Sequence, residues 1–416
     1  MLNLVPLFLP CLLCLAGDAR VGPPDGPLFE SELIFRPEKW HNHASCIVEC
    51  PNGDLLVCWY HGSGERSADD VVIQGARKRK GEKSWSQPFL LADTPGFPDT
   101  NPCLFVDPQK RLWLFWQAIL ANKWETALCR YQVSSHYLEP GAPVWDKSDL
   151  VLFKPGDEFE AAVIQGTKGV VEAAPPERKE LAQAFVDRRL KNAKDKYARR
   201  MGWMTRVHPF VLNDRSWILP LYSDGFDLSI MALTDDAGVT WTASKPLVGV
   251  GNIQPSLVRK QGGVLVAFMR HNGLPPKRIQ MSESGDQGRT WGPVRFSEIP
   301  NPGSGVEVLG LRDGAWALIL NDTERGRHSL AVSLSTDEGK TWKYTRHLEK
   351  NVPGPDATSG HYPSIIQAAD GTVHATYTYS LSGKNVLEDE QGQPMRECIK
   401  HAHFDEEWIK QGDGAK

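Results

Sequence analysis

Three segments of the chain share the pattern S/T-x-D-x-G-x-T-W: TDDAGVTW at 234–241, SGDQGRTW at 284–291 and STDEGKTW at 335–342. Their aspartates, Asp236, Asp286 and Asp337, stand 50 and 51 residues apart. A fixed period of that length means one supersecondary unit used repeatedly, so the chain must be read as an array. Aspartate, glycine and threonine at these places suit a tight turn in which side chains satisfy backbone N–H groups. The closing tryptophan suits packing between sheets.

A second repeat underlies the first. A turn followed by an apolar run occurs at Asn52-Gly53-Asp54 with LLVCW, 107–111 with LWLFW, 213–216 with WILPLY, Gly262-Gly263 with VLVAF, Asp313-Gly314 with AWALIL, and Asp370-Gly371 with TVHATY. Each reads as a hairpin turn feeding a strand. Another short strand precedes each turn, opening near His43, Asn101, His208, Gln254, Glu307 and Tyr362. Six units of about four strands each predict an all-β fold, a six-bladed β-propeller over about residues 30–410. The second and third units are spaced too widely. The excess falls at 155–202, where Leu181, Phe185, Val186, Leu190, Ala193 and Tyr197 recur at helical spacing after Pro175-Pro176. That predicts an inserted α-helix, Glu177 to Arg200, between the second and third repeats (insertion at about 175–200). Its Lys and Arg residues read as a solvated face.

Composition narrows the partners. A net charge of −4 and a pI of about 6.3 give no sign of nucleic-acid binding. Leu2 to Leu15 is nearly all apolar and is followed by the small residues Ala16-Gly17-Asp18-Ala19. This reads as a leader over 1–19 for export, outside the cell or into a periplasm, though no basic residue precedes the run. The run is too short for a membrane span. Beyond the leader, Cys46, Cys50, Cys58, Cys103, Cys129 and Cys398 follow no zinc spacing and sit mostly in apolar runs. They read as buried core residues, with a disulfide or two open after export. No nucleotide, serine-hydrolase or zinc motif is present, so no cofactor is expected; a structural calcium in a loop stays open.

In a propeller the innermost strand of each blade lines the central axis. The repeat register therefore predicts that His43, Asn101, His208, Gln254, Glu307 and Tyr362 form a polar ring at one mouth. Arg66, Arg206, Arg270, Arg278 and Arg327 flank strands, and several arginines aimed at one pocket suit a carboxylate. Asp69 and Asp70 follow Arg66 and could supply an acid or base.

The chain resembles the sialidase (neuraminidase) superfamily with its Asp-box repeats, most closely the sialidase-like branch. The resemblance spans about Glu32 to Trp408 and rests on the three boxes and on GWMTR (202–206), GNIQPSLV (251–258), PPKRIQ (275–280), NPGSGVEV (301–308), NDTERGRHSLAVSLS (321–335) and HYPSIIQ (361–367). It implies an exo-glycosidase that holds a sialic carboxylate with three arginines and attacks with a tyrosine activated by a glutamate, beside an aspartate acid/base. On that pattern Arg278 and Arg327 match two carboxylate arginines and Tyr362 the nucleophile. Asp69 or Asp70 falls in the acid/base region, with Arg66 beside it. The chain departs from the pattern twice. His43 stands where the first arginine opens its motif, and Gln254 stands where the activating glutamate belongs. Glutamine cannot take a proton.

The same residues suit β-elimination beside a uronic acid, as in the rhamnosyl-glucuronate lyases that share this kind of propeller. There Arg206, Arg278 and Arg327 would neutralise the carboxylate, and His43, His61, His208 or Tyr362 would serve as base. A third reading, a propeller that binds a glycan or oligosaccharide without reacting, follows from the same departures. Oligomeric state is not legible.

Overall fold

The computed structural model describes residues 26–414. The leader read at the N-terminus, with Cys11 and Cys14, lies outside the described residues. The chain forms six four-stranded antiparallel sheets arranged as a β-propeller. Blades I to V run in order outward from the axis. Their innermost strands are His41–Glu49, Asp99–Val106, Phe210–Val211, Asn252–Arg259 and Glu307–Gly310. Blade VI is composite: Ser359–Gln367, Val373–Ser380 and Glu397–Phe404 are completed by the N-terminal strand Phe29–Leu33. The first strand thus closes the ring by pairing with the last, Phe29 opposite Phe404 and Leu33 opposite Lys400. Phe29 also stacks on Trp408 at 4.5 Å.

The six turn-and-run repeats are the second strands, buried on both faces between neighbouring blades. Trp59, Trp116 and Trp217 are among the largest fully enclosed side chains. The Asp-boxes are the turns between third and fourth strands. In the first, Asp236 Oδ1 accepts from Thr240 N at 2.9 Å and Val239 N at 3.1 Å, and Oδ2 accepts from Thr240 Oγ1 at 2.6 Å. Asp286 and Asp337 repeat the pattern. The box glycine is fixed by close approach. At Gly238 a Cβ would stand 2.4 Å from the Trp113 ring of the preceding blade. The boxes therefore lock blade to blade on the face opposite the site described below.

The insertion is larger than its sequence pattern suggests. It comprises Glu158–Thr167, Val170–Ala173, Lys179–Lys194 and Lys196–Arg200. The first of these helices was not anticipated, although Phe159, Val163 and Thr167 mark its buried side at helical spacing. The solvated reading of the basic residues fails at Arg189, which is fully buried. Its guanidinium donates to the carbonyls of Phe226 (2.5 Å), Asp227 (2.5 Å) and Gly249 (2.6 Å) and pins the insertion onto blade III. All six described cysteines are buried and free of disulfides. Among the described residues no cluster of acidic, histidine and cysteine side chains could hold a metal ion, and no helix is long and apolar enough to cross a membrane.

Blade VI carries a stack of three histidines. His374 packs between His401 (5.2 Å) and His403 (4.2 Å), near Glu30, Glu32, Asp370 and Lys78. Burial, then the charges of the other two imidazoles, pushes His374 down to about 3. Burial also lowers His401 and His403. A histidine held neutral when folded, but free to charge when unfolded near pH 6.5, withdraws stability as pH falls through that value. Between pH 7.5 and 5 the wild type should lose roughly 2 kcal/mol relative to His374→Phe. Parallel thermal unfolding of the two proteins at both pH values reads this; an unchanged difference would refute it.

Candidate active site

Inner strands pair with second strands up to Glu49–Leu55, Val106–Leu112, Val211–Trp217, Arg259–Leu265, Gly310–Trp316 and Gln367–Val373. Counting back five residues from these ends gives one layer: Ala44, Asn101, Arg206, Gln254, Gly305 and Tyr362. Counting back three gives a deeper one: Cys46, Cys103, His208, Ser256, Glu307 and Ser364. The single ring expected from sequence is therefore two. Asn101, Gln254 and Tyr362 belong to the mouth, whereas His208 and Glu307 belong to the floor. His43 lies one residue off the mouth layer.

The displacement has a local cause. The inner strands bulge between His43 and Cys46, Thr100 and Cys103, Ile253 and Ser256, and His361 and Ser364. Ala44, Asn101, Gln254 and Tyr362 sit in those bulges with φ of 57°, 47°, 54° and 53°. A left-handed backbone is costly for residues of this size, on the order of 1–3 kcal/mol each. The bulge turns the side chain of an otherwise regular strand into the mouth.

Tyr362 is the centre. Its hydroxyl accepts from Arg270 Nη1 at 2.5 Å and from Gln254 Nε2 at 3.2 Å. The guanidiniums of Arg206, Arg327 and Arg270 lie 5.0, 5.3 and 5.8 Å from its ring centre. His43 packs at 4.4 Å, with His361 4.8 Å beyond it. Asn101 Nδ2 and Gln254 Nε2 both reach Tyr222 Oη, at 3.2 and 3.3 Å. Gly305 supplies room, since a Cβ there would press on Gln254 Oε1 at 3.2 Å. Several buried polar atoms here lack a protein partner: His43 Nδ1, His361 Nδ1, Arg270 Nε, and Arg206 Nε and Nη1.

Electrostatics follow from that packing. Burial alone would raise the Tyr362 phenol, but Arg270 and Arg327 outweigh it and hold it below its usual value. Burial, then the nearby positive charges, keeps His43 and His361 neutral. Beside them, His41 Nδ1 meets Glu397 Oε2 at 2.6 Å and its Nε2 faces Glu65 Oε1 at 3.6 Å. These bonds override burial and lift His41 to about 9. Glu65 also accepts from Tyr60 Oη at 2.5 Å and is held below the usual carboxylate value against its own burial. Directly after the second strand of blade III, burial pushes Asp224 up to about 6 despite the opposing charge of Arg270 nearby.

Other residues expected at the site lie elsewhere. Asp70 accepts from Ser63 N (3.1 Å) and Oγ (2.8 Å), and Asp69 from Asn122 Nδ2 (2.9 Å), so both brace loops. Arg66 stays at the rim of the site, covering the Trp124 ring at 5.2 Å and standing 3.9 Å from Glu65. His61 Nδ1 donates to Asn42 Oδ1 at 2.9 Å, outside the Tyr362 cluster. Arg278 opens a third strand, one strand spacing further from the axis than Arg270, and is drawn to Glu324 at 2.5 Å. Arg270, at the end of the second strand, takes the place next to Tyr362 that the sequence pattern offered to Arg278. Glu65, Asp224, Tyr60, Tyr222, His41 and His361 were not singled out. Two signals were available: Glu65 adjoins Arg66, and Asp224 and Arg270 fall at or just past second-strand ends.

A model of the BNR repeat-like domain matches residues 53–148 and 187–375, more than half of the chain. The chain belongs to the BNR repeat-like family. No curated protein matches its sequence. Solved structures match by shape. A Dyadobacter fermentans protein of unknown function matches with a TM-score of 0.64 at 15% identity, over 90% of this chain and 98% of that one. A leech intramolecular trans-sialidase in complex with 2,7-anhydro-Neu5Ac matches with a TM-score of 0.64 at 14% identity, over 92% and 71%. A Penicillium chrysogenum α-L-arabinanase bound to arabinobiose matches with a TM-score of 0.53 at 14% identity, over 90% and 98%. At these identities the likeness is one of fold, and the chemistry of this BNR repeat-like protein must be argued from its own side chains.

Proposed function

We propose that this protein is an exported exo-glycosidase that removes an acidic sugar from a glycan, with Tyr362 as its nucleophile. The supporting observation is the 2.5 Å bond from Arg270 to the Tyr362 hydroxyl, with the Arg327 guanidinium 5.3 Å from the ring centre. The two guanidiniums can meet a sugar carboxylate, which accepts paired N–H donors. They also favour the phenolate, which supplies the ionisation that Gln254 cannot assist. In the first step the phenolate oxygen bonds to the anomeric carbon while the bond to the glycosidic oxygen breaks. The departing oxygen takes a proton; Asp224, raised to about 6, is the mouth carboxyl suited to give it. Water then replaces Tyr362 and returns the proton. The leech trans-sialidase, with its anhydro-sialic acid ligand, makes sialic acid the first sugar to try.

A second reading is favoured by Gln254 together with neutral His43 and His361. In it Tyr362 or a histidine removes the C5 proton of a uronate, the bond at O4 breaks, a C4–C5 double bond forms, and the leaving oxygen is protonated. One assay separates the two. Purified protein is offered a sialoside panel and glucuronate-bearing polysaccharides, reading free acidic sugar and ultraviolet absorbance together. Release of saturated acidic sugar is the expected result. A rising ultraviolet signal would replace hydrolysis with elimination. Saturable binding without product would make the propeller a binding module.

A further inference from the structure

We propose that the cleft between the helical insertion and blade IV binds a flat aromatic aglycone, so that the substrate is an acidic sugar linked to an apolar ring system. This rests on the glycosidase reading above and names the other half of its substrate. The cleft has a volume of about 920 Å³, room for a ring system of drug size. One wall is the helix Lys179–Lys194, where Leu181 and Phe185, four residues apart, point the same way. The other is the connection after the second strand of blade IV, with Leu274, Pro275 and Pro276, together with Phe296 of that blade's fourth strand, Arg295–Pro300. Leu181 is 59% exposed, Leu274 46% and Phe296 44%. Apolar side chains at such exposure leave much of their surface to the cleft, although Phe296 also meets the His271 ring edge-on at 5.1 Å. The helix wall is fixed, because Arg189, whose guanidinium lies 4.2 Å from the Phe185 ring, bonds three backbone carbonyls.

The cleft adjoins the sugar site. Asn272 lines it, and Asn272 Oδ1 accepts from Arg270 Nη2 at 3.2 Å, the same guanidinium that holds Tyr362. Asn272 Nδ2 donates to Asp227 at 2.9 Å, and Asp227 accepts from Arg188 of the insertion at 2.6 Å. A ligand leaving the Tyr362 mouth toward the insertion crosses this short polar bridge and then meets carbon. Further sugar residues would need a polar lining to replace their hydration. Phenylalanine and proline rings instead suit an aromatic face.

The test separates the cleft from the reaction. Free 4-methylumbelliferone is titrated into the full-length protein and followed by fluorescence. Saturable binding is expected, weakened at least tenfold by Leu274→Asp and by Leu181→Asp, and unchanged in Tyr362→Phe. Both leucines are exposed, so both variants should fold, as melting temperature will show. On an acidic sugar that is turned over, the 4-methylumbelliferyl glycoside should exceed the methyl glycoside at least tenfold in kcat/KM, and Leu274→Asp should erase the difference. No binding up to millimolar aglycone, or binding indifferent to both substitutions, overturns the proposal. Aglycone binding that responds to the leucines, without turnover of any acidic glycoside, leaves the cleft assigned and overturns only the glycosidase reading.

Discussion

Tyr362→Phe should lower turnover by about a thousandfold or more while the melting temperature moves little. The substitution removes one oxygen and keeps the ring on which Arg206, Arg270 and Arg327 converge and against which His43 packs. Arg270 retains Gln254 Oε1 at 3.4 Å and Asn272 Oδ1 at 3.2 Å as acceptors and Gln254 Nε2 retains Tyr222 Oη at 3.3 Å, so the structural loss is two hydrogen bonds, about 2 kcal/mol, with no donor stranded. A tyrosine that merely packed would show a small change, chiefly in KM. A tyrosine whose oxygen reacts shows its loss in kcat. The pH profile gives an independent reading. Activity that needs the phenolate rises with pH through the phenol's pKa, which Arg270 and Arg327 hold below its ordinary value. Arg270→Met removes one of those charges and should move the rising limb to higher pH. Turnover of Tyr362→Phe within about threefold of wild type would remove Tyr362 from the chemistry.

Sequence and structure part company at the bulges. Blade number, the six second strands and the box turns are written in local patterns: alternation, turn residues and the fifty-residue period. Which inner-strand side chains share a layer depends on where each strand inserts an extra residue, and composition does not mark that place. Tyr362 and Gln254 stand at bulges and were found because they opened apolar runs. His208 and Glu307 open runs too, yet lie two positions deeper. Arg278 drew attention through its position before a box, while Arg270 reaches the axis through strand order, which only the assembled sheet reveals. Glu65 and Asp224 gain their character from burial and from partners distant in sequence. The insertion was legible as a helix, but Arg189 was indistinguishable from its solvated neighbours, because its three acceptors come from another blade.

The floor layer carries the second large effect, on stability. Neighbouring inner strands of a propeller belong to different sheets and cannot pair, so their backbone donors need side-chain acceptors. The layer supplies them: Cys46 Sγ accepts from Leu104 N, Ser256 Oγ from Val308 N and Ser364 Oγ from Ile47 N, at 3.3, 2.9 and 3.3 Å. Glu307 serves three donors at once, Ile365 N at 3.0 Å, His208 N at 3.1 Å and His208 Nδ1 at 2.7 Å. His208 Nε2 continues to Ile47 O at 2.8 Å and Cys46 Sγ at 3.3 Å. Blades I, III, V and VI are thereby tied across the axis through one carboxylate. Glu307→Ala strands a partly buried imidazole, whose pKa the Cys46 and Glu307 contacts raise against its burial, and leaves two backbone donors without acceptors. Breaking a buried pair in this way costs about 3–5 kcal/mol. Denaturant unfolding should show that loss, with Glu307→Gln falling between the variant and wild type because the amide oxygen can still accept. Activity per folded molecule should stay within a few fold, since Tyr362 and Arg270 lie in the layer above. A Glu307→Ala protein that is as stable as wild type but has lost kcat would place Glu307 in the chemistry and return the two layers to one.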